Sequence, residues 1–295
     1  MNPVLDIADL HVALRGDHGP LPVLRGVGLA IAPGEVHGLV GESGAGKSMI
    51  ARAIFGLLPT GARITRGAAR FEGADLAAMR EPERRALLGT KIALIPQDPM
   101  TSLNPVKRIG DQIGTVLRLK LGMARHAARA RAVALLAEVA IREPARVIDL
   151  YPHELSGGMR QRILIAIAFA STPRLVVADE PTTALDVTVQ RQILRLIHDL
   201  QHRAGSAVLF VTHNVGLVAK LCQTVTVLQG GRVLEQGGTA EVLTRPRHPY
   251  TRALLAATPR LDRPADTLLP LPRELIDSLA AESRAYDAAN LAAFR

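Results

Sequence analysis

Residues 41 to 48 read Gly-Glu-Ser-Gly-Ala-Gly-Lys-Ser. This fits G-x-x-x-x-G-K-[ST] at every fixed position. Glycines let the backbone fold tightly enough to aim several N–H groups at one phosphate chain. A helix opening near Lys47 adds the positive end of its dipole. Lys47 is then placed to bridge the β- and γ-phosphates of a nucleotide, and Ser48 to offer its hydroxyl to Mg²⁺. A second constellation is Leu175-Val176-Val177-Ala178-Asp179-Glu180, an apolar run that ends in two carboxylates. Asp179 can hold Mg²⁺ through a water. Glu180 can orient or deprotonate a water that attacks the γ-phosphate. Alone, such a pair is as well explained as a solvated cap on the next segment. With a phosphate loop upstream, the chemical reading is the stronger one.

These groups need a scaffold. Glu35 to Val40 reads as a strand running into the glycine loop, and Lys47 to Leu57 as a helix stopped by Pro59. Leu10 to Leu14 and Leu29 to Ile31 are short apolar runs separated by Gly, Asp and Pro, as in strands. Leu175 to Ala178 and Ala207 to Val211 are unbroken apolar runs, the pattern of central parallel strands. Between about Pro99 and Thr172 the chain looks mostly helical; Arg125 to Ile141 is rich in Ala, Arg and Leu. Val189, Ile193, Leu196, Ile197 and Leu200 share one helical face. Thr224 to Leu228, Gly230-Gly231 and Arg232 to Glu235 read as a hairpin. Strand–helix alternation around a phosphate loop predicts an α/β fold, with the middle helical block as an insertion and the last 45 or so residues as an appendage.

Composition narrows the classes. Aromatic residues are 3% and Trp is absent, so Ala, Leu, Val and Ile must fill the core. One cysteine, Cys222, rules out an internal disulfide, a Cys-based zinc cage or a Cys-ligated iron–sulfur cluster, and fits a reducing compartment. The net charge of +9 is spread without a run of five or six basic residues, so charge alone selects no partner. Asp6 and Asp9 interrupt the N-terminus and no apolar h-region follows, so no signal peptide is expected. The most apolar stretch, Ile163 to Ala170, is far short of the roughly 18 residues that span a bilayer. Any work at a membrane is expected to pass through other chains.

The decisive segment is Leu155-Ser156-Gly157-Gly158-Met159-Arg160-Gln161-Arg162. It resembles the signature of the ABC ATPase family, and the resemblance runs over almost the whole chain. A serine and two glycines opening a helix make a second anion-binding helix N-terminus. By resemblance, Ser156, Gly157 and Gly158 act in trans, closing over the γ-phosphate held by a facing ATPase subunit. Gln97, in Ile-Pro-Gln-Asp-Pro, resembles the Q-loop glutamine that contacts Mg²⁺ and senses the membrane partner. Ala184-Leu185-Asp186 resembles the D-loop, and His213 in Val-Thr-His-Asn the switch histidine. The fold implied is a P-loop NTPase (RecA-like) core of ABC ATPase type, with an antiparallel β subdomain and an inserted α-helical subdomain. The implied cofactors are ATP and Mg²⁺. Nucleotide contacts fall on Gly41, Glu42, Ser43, Gly44, Ala45, Gly46, Lys47, Ser48, Met49, Gln97, Ser156, Gly157, Gly158 and Asp186. Metal contacts fall on Ser48, Gln97 and Asp179. The catalytic roles go to Glu180, His213 and Lys47.

Gln97 to Pro105, Ala178 to Thr188 and Arg247-His248-Pro249-Tyr250-Thr251 together resemble the ATPases of dipeptide, oligopeptide and nickel importers. That implies a catalytic domain over 1–245, with its helical part at about 99–172, and a C-terminal extension over 246–295. It also implies a similar but non-identical ATPase partner, two permease chains and an extracytoplasmic solute-binding protein, with this chain on the cytoplasmic face of the membrane and no nucleic-acid partner. The cargo implied is a peptide, with nickel or a metallophore as the alternative. An exporter, a nucleic-acid-linked ABC ATPase and a degenerate regulatory module are the rivals; the single phosphate loop and the intact Lys47, Asp179, Glu180 and His213 weigh against the last two.

Three positions depart from the pattern. Leu14 stands where many members stack an aromatic ring on adenine, a change expected to remove about 1–3 kcal/mol of stacking. Asn214 follows His213 where Asp is usual. The tail carries none of the cysteines that many peptide-importer ATPases have after the His-Pro-Tyr segment. Leu275, Leu279, Tyr286 and Leu291 suggest an amphipathic helix near the C-terminus, with its apolar face on the chain's own core.

Overall fold

A computed structural model describes residues 2–17, 19–183, 185–258 and 272–294. Two units share the chain: residues 1–79 with 209–295, and residues 80–208. The first segment of the first unit is β1 (Leu5–Gly16), β2 (Gly19–Ile31), β3 (Val36–Val40), α1 (Lys47–Phe55), β4 (Ala62–Phe71) and β5 (Ala74–Asp75). Strands β2, β1, β4 and β5 lie side by side in that order as one sheet, antiparallel at each pairing. The β1 ladder slips between Ile7 and Leu10, and Asp9 takes a left-handed φ of 49°. This bulge breaks the alternation that marks a strand, which is why sequence pattern reveals only its middle. β3 is buried at all five positions, and its one polar side chain, His37, is satisfied by the hydroxyls of Thr224 and Thr226.

The second unit contains α2 (Glu81–Leu87), β6 (Ile92–Ile95), α3 (Pro99–Ser102), α4 (Ile109–Leu121), α5 (Arg125–Glu138), α6 (Pro144–Val147), α7 (Gly157–Phe169), β7 (Leu175–Asp179) and α8 (Val187–Ala204). β6 and β7 pair in parallel, Ile92 opposite Leu175 and Ile95 opposite Ala178. Parallel strands are covered on both faces, so Leu175 to Ala178 are all fully buried. α4, α5 and α7 pack on one another, with Ile113, Leu117, Ala132, Leu136, Ile163 and Ile165 buried. α8 is amphipathic. Ile193, Leu196, Ile197 and Leu200 are buried, Asp186 caps its start through Thr188 and Val189 N–H, and Gly205 ends it in a left-handed conformation.

β8 (Ala207–Thr212) returns the chain to the first unit. There follow α9 (Val215–Leu221), β9 (Thr224–Gln229), β10 (Arg232–Gly238), α10 (Thr239–Thr244), α11 (Pro249–Ala256) and α12 (Arg273–Ala289). β9 runs parallel to β3, with Val227 opposite Val40. β9 and β10 form the expected hairpin. Its turn residues Gly230 and Gly231 both have positive φ, 54° and 72°, the handedness that matches strand twist. α12 packs on β2. Tyr286 bonds His11 Nε2 through its hydroxyl, and the Asp287 carboxylate accepts two bonds from the Arg25 guanidinium. The tail therefore covers its own unit, as expected. Leu291 is a correction: it is 56% exposed, and Phe294 is the buried residue. The helix gives way to a 3-10 turn over Leu291–Phe294, whose tighter winding moves the apolar face off the helical spacing.

Candidate active site

The phosphate loop belongs to the first unit. β3 ends at Val40 and the chain turns at once. A Cβ on Gly41 would lie 2.1 Å from the Leu228 carbonyl oxygen, so only glycine lets the loop leave the strand there. Gly46 has a φ of 104° and stands at the N-cap of α1, where no side chain takes the capping role. The loop closes on itself: Ala45 N–H donates to the Glu42 carbonyl, and Met49 and Ile50 N–H donate to the Gly46 carbonyl. Lys47 is 5% exposed, and its Nζ donates to the carbonyls of Gly41 and Glu42, both at 2.8 Å. An ammonium held buried at the opening of a helix is a strong local positive potential. Ser43 and Gly44 are exposed and Ser48 is half-buried. The Glu42 N–H donates to the Tyr250 hydroxyl at 3.2 Å, and Gly231 N–H donates to the Ala45 carbonyl at 2.9 Å.

His213 follows β8 and is exposed. Asn214 opens α9 at its N-cap position without a side-chain cap bond, its own N–H donating to Thr212 Oγ1. Leu14 is half-buried and lines a cavity of about 590 Å³ with Ala13, Gly16, Ala62, Arg63 and Phe294. An aromatic side chain thus lines the same cavity as Leu14, contributed from 280 positions further along the chain. No local pattern marks it.

The carboxylate pair belongs to the second unit. Asp179 ends β7 and Glu180 follows it at 9% exposure. Glu180 is held in a left-handed backbone conformation, φ 45°, which costs a non-glycine residue on the order of 1–3 kcal/mol and is retained where surroundings enforce it. Its Oε2 accepts from Thr183 Oγ1 at 2.8 Å and from Gln97 Nε2 at 3.3 Å. Gln97 reaches it from the loop after β6, just before Asp98 caps α3 through the Met100 N–H. Those bonds to the Met100 N–H and Thr101 hydroxyl hold the Asp98 carboxyl below the ordinary range. Gln97 and Glu180 are thus brought together.

The signature lies in the same unit. Ser156 caps α7, its Oγ accepting from Met159 N–H at 3.3 Å. Gly157 has open space where a Cβ would be. A Cβ on Gly158 would lie 3.1 Å from Val189 Cγ1. The opening turns of α7 and α8 therefore touch, which puts the glycine pair beside the helix that Asp186 caps. Ala184 lies outside the described residues.

The model of the ABC transporter family matches residues 24–183. The chain belongs to the ABC transporter ATP-binding family. A second model, "Oligopeptide/dipeptide transporter, C-terminal region", matches residues 234–283. This ABC protein is 46% identical over 293 residues to the probable D,D-dipeptide transport ATP-binding protein DdpD of Escherichia coli (strain K12), covering 97% of this chain and 89% of that protein. It is 44% identical over 260 residues to the oligopeptide transport ATP-binding protein OppD of Bacillus subtilis (strain 168), covering 88% and 73%. Among solved structures it superposes on the dimeric post-hydrolysis state of the ATP-binding cassette MJ0796 bound to ADP and Pi, with TM-score 0.71 and 26% identity, covering 80% of this chain and 98% of that one. The family and the P-loop ABC fold expected from the sequence are both borne out, and with them an ATPase coupled to transport. Among the described residues, no helix is long and apolar enough to cross a membrane.

Proposed function

We propose that this ABC ATPase powers import of a di- or oligopeptide from the cytoplasmic face of the membrane. The observation that carries the reading is the match of residues 234–283 to the C-terminal region of oligopeptide and dipeptide transporters, which extends the likeness beyond the generic cassette. The named relatives point the same way. The partners are a second, non-identical ATPase subunit, two permease chains and an extracytoplasmic binding protein.

Each residue of the site has a role in that reading. Lys47 exchanges its two carbonyl acceptors for phosphate oxygens of ATP, while backbone N–H groups of Gly41 to Met49 face the phosphate chain. Ser48, Gln97 and Asp179 offer a hydroxyl, an amide oxygen and a carboxylate, the hard oxygen donors Mg²⁺ prefers. Mg²⁺ held by these residues would offset negative charge on the nucleotide's phosphates. Glu180 takes the proton of the water that attacks the γ-phosphorus, and the bond to ADP breaks as the new P–O bond forms. His213 holds the γ-phosphate. Ser156, Gly157 and Gly158 complete the site of the facing subunit, and Asp186 lies at that boundary. ATP favours the closed pair and hydrolysis removes that preference.

The test is recovery of this chain from membranes with mass spectrometry of what copurifies, followed by ligand screening of the binding protein. A second ATPase, two permeases and a peptide-selective binding protein are expected. A binding protein selective for nickel or a metallophore would overturn the cargo, and ribosomes or nucleic acid would overturn transport.

A further inference from the structure

The peptide group joining Gly41 and Glu42 is held from both sides. Its carbonyl accepts from Lys47 Nζ at 2.8 Å and its N–H donates to the Tyr250 hydroxyl at 3.2 Å. In a trans peptide these two groups point in opposite directions, so one rotation sets both. Glycine on one flank makes rotation of this peptide easy. A flip would aim an N–H at the Lys47 ammonium, donor against donor.

Tyr250 is equipped to prevent it. The side chain is fully buried, and burial pushes the phenol up to about 12, so it stays protonated. Its hydroxyl donates to Gln229 Oε1 at 3.3 Å, which leaves a lone pair for the Glu42 N–H. Gln229 leads into the Gly230–Gly231 turn, whose Gly231 N–H holds the Ala45 carbonyl. The phenol is itself anchored. Tyr250 N–H donates to His248 Nδ1 at the start of α11, and the Glu235 carboxylate accepts the N–H groups of Arg247 and His248 at 2.8 and 3.0 Å. Burial works to raise the Glu235 carboxyl, but the hydrogen bonds around it, led by that from the Arg247 N–H, outweigh burial and hold it below the ordinary range. The Arg247–Thr251 segment, which in the sequence only marks a subfamily, thus ends on the phosphate loop.

We propose that Tyr250 is a positioning residue for ATP binding: its hydroxyl locks the 41–42 peptide in the orientation that keeps Lys47 at the mouth of the phosphate loop. The proposal rests on the ATPase reading of that loop. Through Tyr250, the C-terminal segment sets how well the loop is organised before nucleotide arrives.

Tyr250→Phe keeps the packing and removes only the hydroxyl. In the assembled transporter it is expected to raise KM for ATP about five- to tenfold, the scale of one buried donor left unpaired. Turnover at saturating ATP stays within about twofold, since the residue touches no reacting atom. Hydrogen exchange should quicken in the peptide covering Gly41 to Ala45 and nowhere else. Unchanged KM and unchanged exchange would overturn the proposal. So would exchange that quickens throughout the chain, which is a general loss of stability. Lys47→Ala separates the two levels of the argument. If the unmodified protein binds ATP and Lys47→Ala does not, the loop reading stands whatever Tyr250→Phe does; if the unmodified protein binds none, that reading fails and the proposal falls with it.

Discussion

The chain opens two helices with glycine-rich turns, α1 after the phosphate loop and α7 after the signature, and builds them differently. At α1 the turn is walled by its own unit at Gly41 and Lys47, while Ser43 and Gly44 at its tip are exposed. Gly41 is pressed against Leu228, Lys47 is buried on two carbonyls, and no side chain caps the helix. At α7 the turn is open. Ser156 caps the helix and Gly157 has nothing within 4 Å of a Cβ. An anion site finished by one chain needs tight walls and a resident cation. A turn that is to meet an anion carried by another subunit needs an unobstructed N-terminus and small side chains.

Lys47→Ala is the strongest way to break the enclosed side. Removing a buried, hydrogen-bonded charge is expected to cost about 2–5 kcal/mol of ATP affinity, read by equilibrium nucleotide binding. Unchanged affinity would remove the loop from the account. On the open side, Gly157→Asp should separate folding from function. A carboxylate at a helix N-terminus adds about 0.3–1 kcal/mol of stability, so the thermal midpoint holds or rises. Turnover of the assembled transporter falls at least about tenfold, the scale of a like-charge clash with the facing phosphate. Equal loss of stability and turnover would mean that α7 is closed, not open.

Gly41→Ala and Gly157→Ala sharpen the same contrast through sterics alone. The first drives a methyl into backbone and should destabilise by about 1–3 kcal/mol in denaturant unfolding. The second meets open space and should leave the midpoint unchanged. The smallest effect expected is at the foot of the strand that feeds the loop. The Glu35 carboxyl lies at about 2 although burial alone would raise it, because His37, Thr224 and the Ala32 N–H bind the charged form. A lowered folded-state value stabilises above the ordinary 4.5 and loses that contribution as pH falls towards about 2. Thermal midpoints of wild type and Glu35→Gln should therefore differ at pH 7 and converge in that window. A gap that persists at pH 2 would assign the effect to packing instead.

How much of this was legible in the sequence follows from range. The phosphate loop could be read because its chemistry fixes residue types at fixed spacing. α8 was legible from its apolar face, and the β9–β10 hairpin from Gly230-Gly231; the Asp186 and Gly205 caps of α8 came from the structure. The Glu42–Tyr250, Arg25–Asp287 and Leu14–Phe294 relations join positions more than two hundred residues apart. No periodicity reports such pairs, since each partner is locally an ordinary residue. Leu291 failed for a local reason: the helical spacing used to place it ends at Ala289. Glu180 was legible as a carboxylate at a strand end, but its left-handed backbone and its bond from Gln97 were not.

The division of labour between binding and chemistry is tested most directly by Glu180→Gln in the assembled transporter, with ATP affinity and phosphate release measured on the same preparation. ATP should bind with affinity close to that of the unmodified protein while turnover falls by about 10²–10⁴, the usual worth of a positioned general base. Rapid turnover by that variant would contradict the account.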